Sequence, residues 1–212
     1  MSTAIKQFLG RVYPEHAPLF AQLTPVPALS AQPIPLPEAV VRVVTGQLLS
    51  GKAADTIYHR ITLATQRNGL AGSWQLDFDS FRACGLNGAK ARALCTFGAT
   101  VGNNPGALDH WRTMETQALT REIISHPGLG PWTAAIIQLF YLGREDVFPQ
   151  GDRGLMRAIS ALERIGTLRQ PNYRFDPDRA SPHRSYLALY LWQAGVRGFL
   201  NNDPPLRKTT KG

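Results

Sequence analysis

The chain has 212 residues, 43% of them apolar and 18% charged, which suffices for a buried core and excludes an intrinsically disordered protein. Its net charge of +8 and pI of about 9.9 favour a polyanionic partner, most commonly nucleic acid, although charge alone fits a merely basic protein equally well. Only two cysteines are present, Cys84 and Cys95, with no C-x-x-C pair, which excludes a disulfide framework and a zinc or iron–sulfur site held by four thiolates.

The N-terminus has no long apolar segment of the secretory kind, and no stretch reaches the ~20 apolar residues that span a bilayer. The expectation is a cytoplasmic protein with no membrane partner.

In chain order, a short helix is predicted over about residues 3–12. Seven of the sixteen prolines fall within the first 37 residues, and "TPVPALSAQPIPLP" reads as an extended connector, because prolines remove donors and hold their neighbours extended. From Glu38, "EAVVRVVTGQLLS" is apolar on nearly every side and reads as a buried helix. Ser50 is placed to cap "GKAADTIYHRITLATQRN", with Ala54, Ile57, Ile61 and Ala64 on one face. Gly85 closes the next helix and Asn87 opens another. "ETQALTREIISH" is a helix that ends at Pro127–Gly128, and Pro131 starts one that runs to Gly143. A loop, the helix "LMRAISALERIG" and a last helix capped by Ser181 complete the pattern, before a mobile tail. Nine or ten helices and no convincing strand make this an all-α protein.

The stretch "SHPGLGPWTAA" carries the first chemistry. Gly128 and Gly130 allow positive φ and close backbone approach, and the next helix turns its free amides and positive dipole end toward whatever lies above the turn. Pro131 lacks an N–H, which leaves Trp132 and Thr133 as donors to a phosphate oxygen, with the Thr133 hydroxyl as a further candidate. Gly-x-Gly alone also fits a plain helix–helix corner.

Asp152 follows Gly130 by 22 residues, at a loop-to-helix junction in "VFPQGDRGLMRA". An aspartate at such a junction is often only an N-cap. The hairpin, the spacing and the flanking Gly151 and Gly154 together favour a functional carboxylate.

"HPGLGPWTAAI…VFPQGDRGLMRA" resembles the helix-hairpin-helix-Gly/Pro-Asp (HhH-GPD) superfamily of DNA glycosylases, and within it the AlkA-type 3-methyladenine DNA glycosylase II branch. "VVTGQLLSGKAADTIYHRI", "GLNGAKARALCTFG" and "SPHRSYLALYLW" match three further motifs, so that five collinear motifs run from Glu38 to Trp192. The resemblance implies an all-α, two-lobed fold with an active-site cleft between lobes. Lobe one would cover about 38–125, and lobe two about 1–37 with 126–205, followed by a basic tail over 206–212. The N-terminal β-domain of longer relatives is not expected, because only 37 residues precede the first motif.

It also implies a monomeric base-excision-repair enzyme. The enzyme would flip an alkylated base of the 3-methyladenine or 7-methylguanine type out of double-stranded DNA and hydrolyse the N-glycosidic bond to leave an abasic site. If the source is bacterial, it would be nucleoid-associated. Asp152 takes the place of the catalytic aspartate. Trp132 stands where bifunctional relatives carry the Schiff-base lysine, so a monofunctional enzyme is implied. Leu48, after Gln47, falls where the family places its wedge. Trp132, Ile136, His183 and Arg153 would line the base pocket, and the last three stand where an aromatic is often found, so a less aromatic pocket is expected. No cofactor is required. A monovalent cation (Na+ or K+) on the backbone carbonyls of Ile124, His126 and Leu129 is a family feature. Arg121, Lys52 and Arg184 are further phosphate candidates. The alternatives are a glycosylase/lyase acting on oxidised bases and a non-catalytic HhH DNA-binding module.

Overall fold

The computed structural model describes residues 2–200; the basic tail over 206–212 lies outside them. Ten α-helices and several 3-10 turns make up the described residues, which contain no strand. None of these helices is long and apolar enough to cross a membrane.

The chain forms two compact units. One comprises Met1–Leu29 with Glu145–Gly212, the other Ser30–Arg144. The sequence reading divides the chain near residues 37 and 126 instead. The difference arises because the segment after the hairpin packs with the residues before it. A Cβ on Gly128 would meet Ala93, Thr133 bonds Gln47 and Arg144 bonds Thr116, all inside the second unit.

The first unit joins α1 (Ser2–Val12) and α2 (Ala17–Gln22) to α9 (Arg153–Thr167) and α10 (Arg184–Val196). Helix α2 lies just before the proline-rich connector and was not expected. Pro18 sits in its first turn, where a missing N–H costs nothing, and Phe20 is buried. Tyr13 stacks on Phe175 at 4.5 Å between ring centres and donates its hydroxyl to the Asp176 carbonyl at 2.8 Å. Gln193 bonds both backbone groups of Thr24, and the Tyr186 hydroxyl accepts the Leu29 N–H. The proline-rich N-terminus is thus held by side chains of α10 rather than by ladder hydrogen bonds. Helix α10 starts at Arg184, not at a Ser181 cap: Ser181 Oγ donates to Asp146 at 3.0 Å, and the Ser181–Pro182 peptide is cis.

His16 is buried in this unit, edge-on to Tyr173 at 5.5 Å, with no hydrogen bond to Nε2. Burial lowers its pKa to about 4, against a weaker opposing pull from Glu15. The unfolded chain therefore takes up a proton below pH 6.5 that the folded chain refuses until about pH 4. Stability is expected to fall as the pH drops through that window, by about 3 kcal/mol in all. Melting temperatures of the wild type and His16→Phe across the window test this. The variant should lose that part of the acid sensitivity, and superimposable profiles would contradict the assignment.

The second unit is built around α3 (Leu36–Gly46), whose Val40, Val41 and Val44 are fully buried. Each such side chain contributes about 1.5–3 kcal/mol relative to exposure. Around α3 lie α4 (Gly51–Arg67), α5 (Phe78–Cys84), α6 (Gly88–Val101), α7 (Thr116–Ser125) and α8 (Pro131–Ile136). The sequence-read caps are present. Ser50 Oγ accepts the Ala53 N–H, Asn87 Oδ1 accepts the Lys90 N–H, and Gly85 is left-handed. Glu38 ties α3 to two neighbours, accepting from the Tyr58 hydroxyl at 2.6 Å and from both Ser73 donors.

Helix α8 continues as a π-helical turn, Ile137–Tyr141, where a single α-helix was expected to Gly143. Buried Gln138 donates to Thr120 Oγ1 at 2.9 Å and accepts from Arg144 Nη1 at 2.9 Å. Arg144 also reaches the carbonyls of Trp111 and Met114. That side-chain network holds the wider turn in place; such turns recur at functional sites.

Candidate active site

The hairpin between α7 and α8 has the sequence-read form, with one difference. Gly128 turns the chain at φ +84°, and a Cβ there would lie 2.4 Å from Ala93 Cβ, so glycine is required twice over. Gly130 instead has φ −98° and ψ 178°, ordinary extended backbone, and a Cβ on it would meet no protein atom within 4 Å. The fold itself gives no reason for that glycine, which leaves the backbone open to close approach from outside. Buried Leu129 anchors the tip, and the Leu129 N–H donates to the His126 carbonyl at 3.1 Å. The His126 ring packs edge-on against Phe97.

Pro131 occupies the first turn of α8 as expected. Thr133 is only 1% exposed, and its hydroxyl accepts from Gln47 Nε2 at 2.9 Å. The expectation that this hydroxyl serves a phosphate is therefore corrected: the side chain is turned into the core, and only backbone amides are left for that role. Ile124 and His126 lie at the C-terminal end of α7, where carbonyls lack intrahelical donors and the dipole is negative. Such oxygens suit a hard cation.

Leu48 departs most from its sequence expectation. Helix α3 ends at Gly46, so "LLS" is a turn and not helix. Leu48 has φ +58°, unusual for a branched residue, and is 84% exposed. The strain is not relieved by packing, which excludes a core role. Neighbouring groups fix the turn. Gln47 reaches Thr133, and Lys90 Nζ donates to the carbonyls of Thr45 (3.0 Å) and Gln47 (2.6 Å). Burial lowers the pKa of Lys90, whose amine sits at the C-terminal end of α3 on the Thr45 and Gln47 carbonyls. The lysine was visible in its motif, but its partners 43 and 45 residues away were not.

Trp132 and Ile136 line a cavity of about 210 Å³ together with Phe140, Tyr141, Tyr58 and Arg42. That is below the ~300–1,000 Å³ of sites for drug-sized ligands and suits a planar ring system. Phe140, one turn beyond Ile136 on the continuation of α8, and two tyrosines make the lining of this cavity largely aromatic. The Arg42 guanidinium lies over the Tyr58 ring at 5.1 Å. Arg153 and His183 belong to the other unit. Arg153 is an exposed first residue of α9. His183 packs edge-on against Phe8 at 5.3 Å, with Nδ1 at 3.7 Å from Glu145 Oε2.

Asp152 caps α9 and is half-buried. Its Oδ1 accepts the Leu155 N–H and the Trp192 indole N–H, each at 2.9 Å. The aspartate is thus both a cap and a carboxylate aimed by a second residue. A Cβ on Gly154 would stand 3.1 Å from Oδ1 and 3.3 Å from the indole, which accounts for the glycine in "DRG". Trp192 closed a motif in the sequence, but nothing in the spacing revealed that it holds Asp152. Of the further phosphate candidates, Lys52 and Arg121 are exposed. Arg184 is not available: its guanidinium donates three times to Asp146 and once to Asp178. Burial alone would raise the Asp146 pKa, but the hydrogen bonds from Arg184 and Ser181 and the Arg184 charge together hold it below the usual value.

No family model matches the chain. DNA-3-methyladenine glycosylase 1 of Schizosaccharomyces pombe is 26% identical over 162 residues, which are 74% of this chain and 71% of that protein. A Mycobacterium tuberculosis protein named as a probable bifunctional transcriptional activator/DNA repair enzyme AlkA is 28% identical over 81% of this chain, which spans only 36% of it. Among solved structures, the S. pombe 3-methyladenine DNA glycosylase Mag1, in complex with abasic DNA, superposes with a TM-score of 0.63 at 20% identity, over 88% of this chain and 90% of that one. The chain is similar in sequence to proteins named as 3-methyladenine DNA glycosylases and shares the helical fold of Mag1.

Proposed function

We propose that this protein is a monofunctional DNA glycosylase of base-excision repair that releases alkylated bases from duplex DNA and leaves an abasic site. The observation that supports the reading is the Asp152 carboxylate, fixed by a backbone amide and the Trp192 indole, in a motif that resembles the one carrying the catalytic aspartate of HhH-GPD glycosylases. The named relatives support the substrate class.

The chemistry asks for one such group. A purine alkylated at N3 or N7 is cationic and already a good leaving group. Its departure leaves an oxocarbenium-like sugar, which a nearby fixed carboxylate stabilises electrostatically. The same carboxylate orients or deprotonates the attacking water. Trp132 and the other aromatic walls of the cavity receive the flipped base, with a cation–π attraction of about 0.5–2 kcal/mol for a cationic ring. Leu48 fills the gap in the stack, and Gln47 supports its turn. The amides around Gly130 receive a phosphate, and a monovalent cation on the Ile124, His126 and Leu129 carbonyls would add positive charge there. The protein would act wherever the cell keeps its DNA.

Methylated duplex DNA incubated with the protein should yield free base, with strands that break only after alkali. A covalent adduct trapped by borohydride would point to a lyase instead. Trp132 argues against that outcome, because an indole forms no Schiff base.

A further inference from the structure

Helix α9 has a second feature, on the face turned away from its core. Leu155, Ala158, Ala161 and Leu162 are buried, while Arg153, Arg157 and Arg164 are exposed. At about 100° per residue the three arginines fall within roughly 40° of arc, one stripe along the helix. Glu163 lies on another face, where it accepts the Phe175 N–H at 3.2 Å and approaches Arg174 at 4.0 Å. Arg157 makes no ion pair among the described residues.

Two open hollows flank Arg157. One, of about 350 Å³, runs from Gly154 and Trp192 to Leu191 and Val196. The other, of about 330 Å³, is lined by Met156, Ser160 and Arg164. No acidic side chain lines either among the described residues. Val196 is 89% exposed and Met156 is also on the surface, so apolar surface alternates with arginine.

The stripe spans about 16 Å from Arg153 to Arg164. A duplex presents one phosphate per strand every ~3.4 Å of its axis, so this length covers about five. Guanidinium forks match phosphate oxygens, and the apolar hollows suit deoxyribose faces. The stripe also starts at the residue after Asp152. We propose that this face of α9 holds the sugar–phosphate backbone of duplex DNA flanking the damaged nucleotide, with Arg157 and Arg164 as phosphate contacts. It is a second DNA surface, distinct from the α7–α8 hairpin, and it rests on the glycosylase reading.

The test compares R157Q/R164Q with R11Q/R67Q, which removes the same charge from α1 and α4. Binding to abasic-site duplex is measured across a range of salt, and base release is followed in single turnovers at saturating DNA. The α9 pair should weaken binding about tenfold or more at ~0.1 M salt. It should also reduce the log–log salt slope by about 2, at roughly 0.9 per phosphate. R157Q alone should reduce it by about 1, and R11Q/R67Q should leave it unchanged. Saturated release should stay within about twofold throughout. An unchanged slope in the α9 variants, or an equal loss in R11Q/R67Q, would overturn the proposal, as would a retained affinity with slowed release. Should the wild type release no base while the slope still depends on α9, the DNA surface stands and the glycosylase reading falls.

Discussion

Asp152→Asn is expected to abolish base release while leaving the fold and DNA affinity nearly intact. Asparagine caps a helix as well as aspartate does, and its Oδ1 can accept both the Leu155 amide and the Trp192 indole. Stability should therefore change by well under 1 kcal/mol. On the proposed mechanism, what disappears is the negative charge opposite a developing oxocarbenium ion and the base for the attacking water. Loss of one such preorganised group costs about 10²–10³-fold, and here one residue performs both tasks. Single-turnover release and the affinity for abasic duplex separate the effects. Near-normal release by the variant would remove Asp152 from the chemistry.

Leu48→Gly is expected to move stability and activity in opposite directions. At φ +58° a leucine pays a backbone cost of about 1–2 kcal/mol that glycine does not. Its side chain is almost fully exposed, so little packing is lost. Part of the backbone gain is offset by the greater freedom of glycine in the unfolded chain. Stability should thus be unchanged or higher by up to about 1 kcal/mol. Without the plug, however, the cost of unstacking a nucleotide, a few kcal/mol, is no longer partly offset, and release should slow about 10- to 100-fold. Denaturant unfolding and single-turnover release measure the two quantities. A fall in both would make Leu48 a structural residue.

Those two residues also mark how far the sequence could be read. Asp152 was legible because its surroundings form a motif, and Trp132 because one letter distinguishes an indole from a lysine. Leu48 was legible as a position but not as a conformation, since an apolar run ending in "GQLLS" has the pattern of a continuing helix. The roles of Trp192 and Lys90 escaped because each depends on a partner some 40 residues away, 2.6–3.0 Å distant only after folding. The cavity walls escaped for a related reason: α3, α4 and the π-turn after α8 each contribute, and no periodicity within one helix reports on that. Capping residues predicted most helix ends, because a cap is a local hydrogen bond. Ser181 and Arg184 were misread where Asp146 competes for their donors.

The most direct test is to incubate the protein with duplex DNA carrying 3-methyladenine, 7-methylguanine, 1-methyladenine, 3-methylcytosine or hypoxanthine, and to identify the released bases by chromatography. The account predicts free 3-methyladenine and 7-methylguanine, with abasic sites left in unbroken strands. Tight binding to such DNA with no base released would contradict it and leave a non-catalytic DNA-binding module.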